Sequence, residues 1–165
     1  MLTNKLIIIA ISVWLGACGY HLRGAVDLPE GLKSAYLEGA SVPLREQFRV
    51  ALRAASGQLT NTPDGAGVVI RIFAEQASQR VLSLSARGRS NELELYYRVE
   101  YELLGTDQTL LAARQPLEIK REYFNNQEDI IAKANEETVI RGEMYQQAVR
   151  AIIDRARIVL AANPK

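Results

Sequence analysis

The sequence predicts an α+β fold, a two-layer sandwich in which two helices pack on one face of a roughly four-stranded, mostly antiparallel sheet. Residues 91–104 alternate strictly between apolar and polar side chains, which is typical of a half-buried antiparallel strand. Residues 43–55 and 136–162 instead carry apolar stripes at helical spacing. Shorter strand-like segments lie between these elements, so the predicted order is β-α-β-β-β-α.

The first half of the domain is predicted to contain a strand, a helix and a loop. Residues 34–38 form the strand. The helix covers residues 43–55, with Ser41 as its N-cap and Gly57 at its end. It presents one apolar face: Leu44, Phe48, Ala51, Leu52 and Ala55. Residues 58–67 are rich in polar residues, Pro and Gly, so we expect a loop there.

Two long strands are predicted next. Residues 68–74 begin the first, and residues 81–85 continue it past a bulge. Residues 91–104 form the second. We expect its apolar side chains to face the helices: Leu93, Leu95, Tyr97, Val99, Tyr101 and Leu103.

A third strand, residues 109–124, is predicted to return after a turn at residues 105–107. Pro116 within it predicts an edge position or a bulge, because proline cannot donate a ladder hydrogen bond. The apolar faces of both strands must meet the helices, which sets the expected register. The expected pairs are Tyr101 with Leu111, Val99 with Ala113, and Leu95 with Leu117.

The last predicted element is a long helix over residues 136–162, with an additional helical turn at residues 129–134 before it. Asn135 is the expected N-cap. The expected inner stripe consists of Met144, Tyr145, Ala148, Ala151, Ile152 and Val159.

The N-terminus is predicted to be a lipoprotein signal. Residues 1–17 combine Lys5 with an apolar run that is too short to span a membrane, as in a secretory signal peptide. The chain's single cysteine, Cys18, follows two small residues and resembles the lipid-attachment residue of a bacterial lipobox. Gly19 follows it in place of the Asp that retains enteric lipoproteins at the inner membrane. We therefore expect a lipidated tether over residues 18–33 and a single periplasmic domain over residues 34–165, anchored at the outer membrane.

Composition argues against nucleic-acid binding and against catalysis. The chain has 20 Lys and Arg against 19 Asp and Glu, and the basic residue Lys5 lies in the predicted signal, which leaves no net charge on the mature chain. The only histidine, His21, lies in the tether. No sequence motif for a nucleophile, a phosphate loop or a metal site is present, so we expect neither an enzyme nor a cofactor.

Two basic groups are candidates for anion binding. Arg87 and Arg89 lie in a predicted hairpin turn, and in extended chain they would project alike, as paired guanidiniums suited to phosphate. A second candidate group flanks the crossover into the last helix and consists of Lys120, Arg121, Lys133 and Arg141. Solvated surface positions explain both groups about equally well.

The N-terminal segment 18–24, Cys-Gly-Tyr-His-Leu-Arg-Gly, resembles the mature start of the lipopolysaccharide-assembly lipoprotein family LptE. Residues 121–126, 132–137 and 143–145 resemble later stretches of the same family. The resemblance implies a plug within the lumen of the outer-membrane β-barrel LptD, which helps that barrel assemble and contacts lipopolysaccharide. Given that implied contact, the clustering of the basic residues makes Arg87, Arg89, Lys133 and Arg141 candidate lipopolysaccharide-binding residues.

Two other classes stay open on the sequence alone. One is a different outer-membrane lipoprotein, either a barrel-assembly accessory or a cell-wall-binding module. The other is a periplasmic enzyme, which would need a deep pocket with convergent polar groups.

Overall fold

A computed structural model describes residues 28–124 and 130–162, with the side chains of residues 130–134 left out of the description. Cys18, the signal at residues 1–17 and most of the predicted tether lie outside the described residues. The elements, in chain order, are α1 (Glu30–Lys33), β1 (Ser34–Glu38), α2 (Val42–Ala54), β2 (Gln58–Thr60), β3 (Val68–Leu84), β4 (Ser90–Leu104), β5 (Leu110–Phe124) and α3 (Ile130–Ala162).

The predicted α+β class is confirmed, with one more strand than expected. The five strands lie in the order β2-β1-β3-β4-β5. β1 pairs in parallel with β2 and β3, whereas β3, β4 and β5 are antiparallel to one another. The additional strand, Gln58–Thr60, lies in the segment predicted to be a loop, where it pairs with only three residues of β1. Such a short edge strand has no alternation that a sequence pattern could reveal.

The core lies between the inner sheet face and the two long helices. All six apolar residues predicted to face the helices from β4 are buried, and Val99, Leu95 and Leu103 are completely so. From α2 the core receives Leu44, Phe48 and Leu52. From α3 it receives Met144, Ala148, Val149, Ile152, Ala156 and Val159. Helical stripes and strand alternation thus bury one continuous apolar layer.

The start of α2 is capped as the sequence predicts. Ser41 Oγ accepts a hydrogen bond from Leu44 N at 3.4 Å. Glu75, from β3, accepts hydrogen bonds from Ser41 N at 3.0 Å and from Ser41 Oγ at 2.6 Å. The carboxylate ties the cap to the sheet and places negative charge at the positive end of the helix.

The end of α2 differs from the prediction in one detail. Ser56, and not Gly57, takes the left-handed conformation, with φ of 59°. The bonds from Ser56 N to Arg53 O and from Gly57 N to Leu52 O complete the helix end. Space at Gly57 is tight, since a Cβ there would lie 2.9 Å from Leu28 Cδ1 and 3.3 Å from Leu52 O.

The folded domain begins before Ser34. Leu28 and Leu32, which we expected in a tether, are buried in the core, and Glu30–Lys33 is helical. Gly31 and Gly67 also pack closely, because a Cβ on Gly67 would lie 2.3 Å from Gly31 O. The described part of the predicted tether, residues 28–33, therefore packs as part of the domain.

β3 is one continuous strand, as the sequence predicts for residues 68–74 and 81–85. The pairing with β4 shifts three times. Phe73 and Leu82 are the extra residues of two bulges on β3, and Asn91 is an extra residue on β4 between the pairs of Ser83 and Leu84. The pairing between β4 and β5 confirms the edge position of Pro116, since β5 is the last strand of the sheet.

The predicted register between β4 and β5 is wrong. Tyr101 lies opposite Gln115, Val99 opposite Leu117, and Leu95 opposite Arg121, a slip of four residues in each case. An irregularity between Tyr101 and Leu103 then moves Ala112 to the buried position that we expected for Leu111 and Ala113. An even slip leaves the strand faces unchanged, so the alternation alone did not oppose it.

α3 begins earlier than its main predicted span and is continuous from Ile130. Asn135 is consequently an interior helix residue and not the N-cap. The inner stripe includes Val149 and Ala156, which we did not predict, while Ala151 is only half-buried.

Candidate functional site: the polar sheet face and the hairpin turn

The sheet face opposite the helices, which we call the polar face, consists of the outward-facing residues of β3, β4 and β5. Strand alternation on β4 places Glu92, Glu94, Tyr96, Arg98, Glu100 and Glu102 there. All but Glu102, which pairs only with β3, lie between residues of β3 and β5 that face the same way. The face is polar because the apolar side chains of β4 point into the core, which leaves the polar side chains between them on the outside.

Ion pairs between neighbouring strands link this face into a network. Arg71 bonds Glu38 through Nε at 2.8 Å and Glu102 through Nη1 at 2.8 Å. Arg98 bonds Glu100 at 2.7 Å and Glu118 at 3.1 Å. These two guanidiniums therefore each join two carboxylates, which fixes the orientation of all their partners.

Further charged pairs extend the network along the hairpin and across to β5. Arg114 Nε donates to Glu100 at 2.9 Å. Arg80 Nε lies 2.7 Å from Glu94 Oε1, and Glu94 is buried. Exposed pairs contribute little stability individually, so their main effect is to order the surface.

The network also sets protonation states. Hydrogen bonds from Arg114, then from Arg98, hold the pKa of Glu100 below its ordinary value. The hydrogen bond to Glu38 is the main cause that raises the pKa of Arg71. The charge of Glu100 therefore persists below the pH at which an isolated glutamate would lose its charge.

Two aromatic rings lie beneath cations on or near the polar face. The guanidinium carbon of Arg114 is 4.5 Å from the ring centroid of Phe73, the extra residue of the first β3 bulge. Lys120 Nζ lies 5.7 Å from the ring centroid of Tyr96. These cation–π contacts hold long side chains against the sheet, which favours a flat surface of mixed charge.

Residues 85–89 form the turn between β3 and β4, at the predicted hairpin tip. Ser85 N donates to Arg89 O at 2.7 Å, and Gly88 has φ of 72°. Arg87 and Arg89 are both exposed within this turn. The expectation that they project alike from extended chain is wrong, because the chain turns at Gly88. The fold nevertheless keeps both cations inside one five-residue turn.

The other predicted anion-binding residues lie elsewhere or outside the description. Arg141, on α3, bonds Glu137 at 2.8 Å and lines a small cleft with Ala77 and Tyr97. Ala77 precedes Ser85 by eight strand residues, a separation of about 26 Å at the usual rise per residue. The structure thus brings together Arg87 and Arg89 but not Arg141. Lys133 is in α3, and its side chain lies outside the description.

Sequence reasoning missed an apolar surface beside this turn. Val81, Leu82 and Leu84 are 52%, 38% and 64% exposed. Three apolar residues at the end of a predicted strand were the available signal. The bulges prevented the sequence from showing which strand face each would occupy.

A further concave feature is an open groove of about 840 Å³ between α2 and α3. Val50, Ala51, Ala54, Val149 and Ile153 line much of it, with an Arg157–Asp154 ion pair nearby. Among the described side chains, no group of three His, Cys, Asp or Glu residues is placed to hold a metal. No described helix combines the length and apolar character that crossing a bilayer requires.

Comparison with known proteins identifies the family. The family profile described as "LptE: Lipopolysaccharide-assembly" matches residues 30–156. The LPS-assembly lipoprotein LptE of Yersinia enterocolitica is 28% identical over 160 residues, covering 95% of this chain and 76% of that protein. The protein of the same name from Photorhabdus laumondii is 27% identical, covering 88% of this chain and 79% of its own.

Solved structures show the same fold. An uncharacterised lipoprotein B from Nitrosomonas europaea, solved by NMR, superposes with a TM-score of 0.69 at 29% identity, covering 87% of this chain and 94% of its own. A rare lipoprotein B from Shewanella oneidensis superposes with a TM-score of 0.62 at 23% identity, covering 79% and 97%. The resemblance seen in the sequence is confirmed: the chain belongs to the LptE family of lipopolysaccharide-assembly lipoproteins.

Proposed function

We propose that this chain is an outer-membrane lipoprotein that plugs the lumen of the β-barrel LptD, assists assembly of that barrel, and contacts lipopolysaccharide directly. Family membership supports the lipopolysaccharide-assembly role. The observation that carries the plug role is the polar face, a large ordered surface with charges of both signs. Its role is binding and not catalysis.

The polar face has the chemistry that a barrel lumen requires. The interior of a large outer-membrane barrel is polar, so an occupant needs charged groups that stay fixed and paired. Arg71 and Arg98 each bridge two carboxylates, and Arg114 is held between Glu100 and the Phe73 ring. Ordering these side chains before association reduces the entropy that binding would cost.

Charge reversal tests the plug role. Arg98→Glu with Arg114→Glu removes both guanidiniums that hold Glu100 and leaves a cluster of like charges on the face. We expect recovery of the barrel with the affinity-tagged chain from detergent-solubilised outer membranes to fall severalfold or more. The control Arg157→Glu changes a guanidinium of similar exposure on α3, and it should leave barrel recovery unchanged. Equal recovery in both variants would show that the polar face does not meet the barrel.

The same purification separates the proposal from its alternatives. Recovery of a different barrel, or of cell-wall fragments in place of LptD, would assign the chain to another class of outer-membrane lipoprotein.

For lipopolysaccharide contact, we propose Arg87 and Arg89 as the phosphate-binding pair, with Lys133 and Arg141 as further candidates. The supporting observation is that both arginines are exposed in one turn that contains no carboxylate. Arg141 would act at a second position along the hairpin, since Glu137 pairs with it beside Tyr97.

The test is lipopolysaccharide binding by the full mature lipoprotein in detergent. Each charge-assisted hydrogen bond is worth about 1.5–3 kcal/mol, so Arg87→Asp with Arg89→Asp should weaken binding by roughly a hundredfold or more. Arg49→Asp, on α2, is the matched control and should change binding little. Unchanged binding in the double variant would identify residues 85–89 as an ordinary solvated turn.

Anchoring is proposed to occur through triacylated Cys18 after cleavage behind Ala17, which places the chain at the outer membrane with its domain on the periplasmic side and within the lumen. Mass spectrometry of the mature N-terminal peptide tests this directly. Cys18→Ser should leave the precursor uncleaved, and an unmodified mature cysteine would refute the proposal.

A further inference from the structure

Three apolar side chains lie exposed at the β3 end of the β3–β4 hairpin, within four residues of one another. We call Val81, Leu82 and Leu84 the hairpin patch. Phe124 is exposed on the other side of the sheet, because it pairs with Glu92 on the polar face, whereas Val81 pairs with the buried Leu93. The bulge at Leu82 breaks the strict alternation of β3, which is why neighbouring apolar residues are exposed together.

Exposure of these apolar side chains to water is unfavourable, and the fold does not require it. Val81 is 52% exposed although its strand partner Leu93 is only 4% exposed, so the core ends within this row. Exposed aliphatic residues on a long hairpin favour aggregation, and soluble domains normally carry charged residues at such positions. The patch therefore has the properties of a surface that another molecule covers.

The cationic turn next to the patch indicates the chemistry of that molecule. Leu84 immediately precedes the turn, and Ser90, its strand partner, immediately follows Arg89. Residues 85–89 contain two arginines and no acidic residue. Cationic and aliphatic surfaces thus adjoin within a few residues, an arrangement complementary to an amphiphile whose phosphorylated headgroup directly adjoins its acyl chains.

We propose that the hairpin patch binds the acyl chains of lipopolysaccharide while the adjacent turn binds its phosphates. This inference rests on the proposed lipopolysaccharide contact and deepens it by assigning a separate apolar subsite. The two subsites make different contributions: the turn recognises the headgroup, and the patch shields acyl chains from water. Loss of the patch therefore weakens binding only of ligands that keep their acyl chains.

The experiment compares two ligands and three variants of the full mature lipoprotein in a mild detergent. The ligands are intact lipopolysaccharide and its fully deacylated phosphosugar. Val81→Thr with Leu84→Thr makes the patch polar while retaining good strand formers. Val50→Thr, at a 56% exposed site on α2, is matched to Val81 in chemistry and exposure. Arg87→Asp with Arg89→Asp is the headgroup variant.

We expect the patch variant to bind intact lipopolysaccharide about tenfold more weakly and the deacylated ligand as well as the unaltered chain does. Val50→Thr should bind both ligands normally. The headgroup variant should lose affinity for both. Thermal unfolding of each variant verifies that the fold is retained.

Several outcomes would overturn the inference. One is unchanged binding of intact lipopolysaccharide by the patch variant, and another is an equal loss for both ligands. Reduced recovery of the barrel with normal lipopolysaccharide binding would show that the patch contacts protein instead. Equal, patch-dependent binding to phosphatidylglycerol vesicles would indicate general membrane insertion. If the headgroup variant binds both ligands normally and the patch variant binds intact lipopolysaccharide more weakly, the phosphate assignment fails while the acyl subsite stands.

Discussion

The most direct test of the fold concerns Leu32, in the segment that the sequence places in a tether. The residue is completely buried, and it follows Gly31, which packs against Gly67 and Leu160. Leu32→Ala removes three carbon groups, each worth about 0.8 kcal/mol of transfer free energy. The cavity left behind adds to this, so the free energy of unfolding should fall by about 3–5 kcal/mol. For a domain of this size, that corresponds to a melting temperature lower by roughly 10 °C.

Urea denaturation of the mature lipoprotein, followed by circular dichroism, measures this loss. Leu110→Ala is the matched control, because it removes the same atoms from a side chain that is 61% exposed. It should cost no more than about 0.5 kcal/mol. If Leu32→Ala costs as little as Leu110→Ala, then α1 does not pack against the domain and the tether extends to Ser34.

Two further predictions concern hydrogen-bonded polar side chains. Glu75→Gln weakens the charge-assisted bonds to Ser41 that hold the start of α2, so the free energy of unfolding should fall by about 1–2 kcal/mol. The control Glu118→Gln, at an exposed site, should lower it by less than about 0.5 kcal/mol. Equal losses would show that the Glu75 carboxylate does not stabilise the helix start. Burial, and then the hydrogen bond to Glu137, raises the pKa of Tyr123 to about 12. The neutral Tyr123 side chain therefore stabilises the fold fully below pH 10, and this stabilisation is lost as the pH rises through 12. Tyr123→Phe should therefore be less stable than the unaltered chain at pH 7, but it should lose less stability between pH 10 and 12, as measured by urea denaturation. Parallel curves of unfolding free energy against pH for the two chains would refute this.

The sequence predicted those features that one strand or helix determines by itself. The alternation of β4 gave its buried face correctly, because the period of two is a property of that strand alone. The cap at Ser41 and the Phe48 stripe of α2 were likewise local. α1 was missed because four residues cannot show a helical period, although Leu28 and Leu32 are spaced by four.

The candidate site was predictable only in part, for a similar reason. Arg87 and Arg89 lie in one turn because they are close in sequence. Arg141 is distant from them because its place depends on how α3 lies along the sheet, which no local pattern specifies. The hairpin patch depends on the bulge at Leu82, and a bulge changes which face every following residue occupies.

The register of β5 provides a final prediction that distinguishes the structure from the sequence-based pairing. In the structure Arg98 lies opposite Glu118, whereas the sequence-based register would place it opposite Arg114. Each of these three side chains is at least 38% exposed on the polar face, so cysteines there disturb no core packing.

Arg98→Cys with Glu118→Cys should form a disulfide in the periplasm, because directly opposite residues in a sheet have Cα atoms about 5 Å apart. Arg98→Cys with Arg114→Cys should not, because four residues along a strand separate the two Cα atoms by about 13 Å, well beyond disulfide reach. Mass spectrometry of non-reduced peptides measures both variants. A disulfide in the second variant alone would restore the sequence-based register. It would also remove the Arg98–Glu118 pair on which the ordered polar face, and with it the proposed barrel contact, depends.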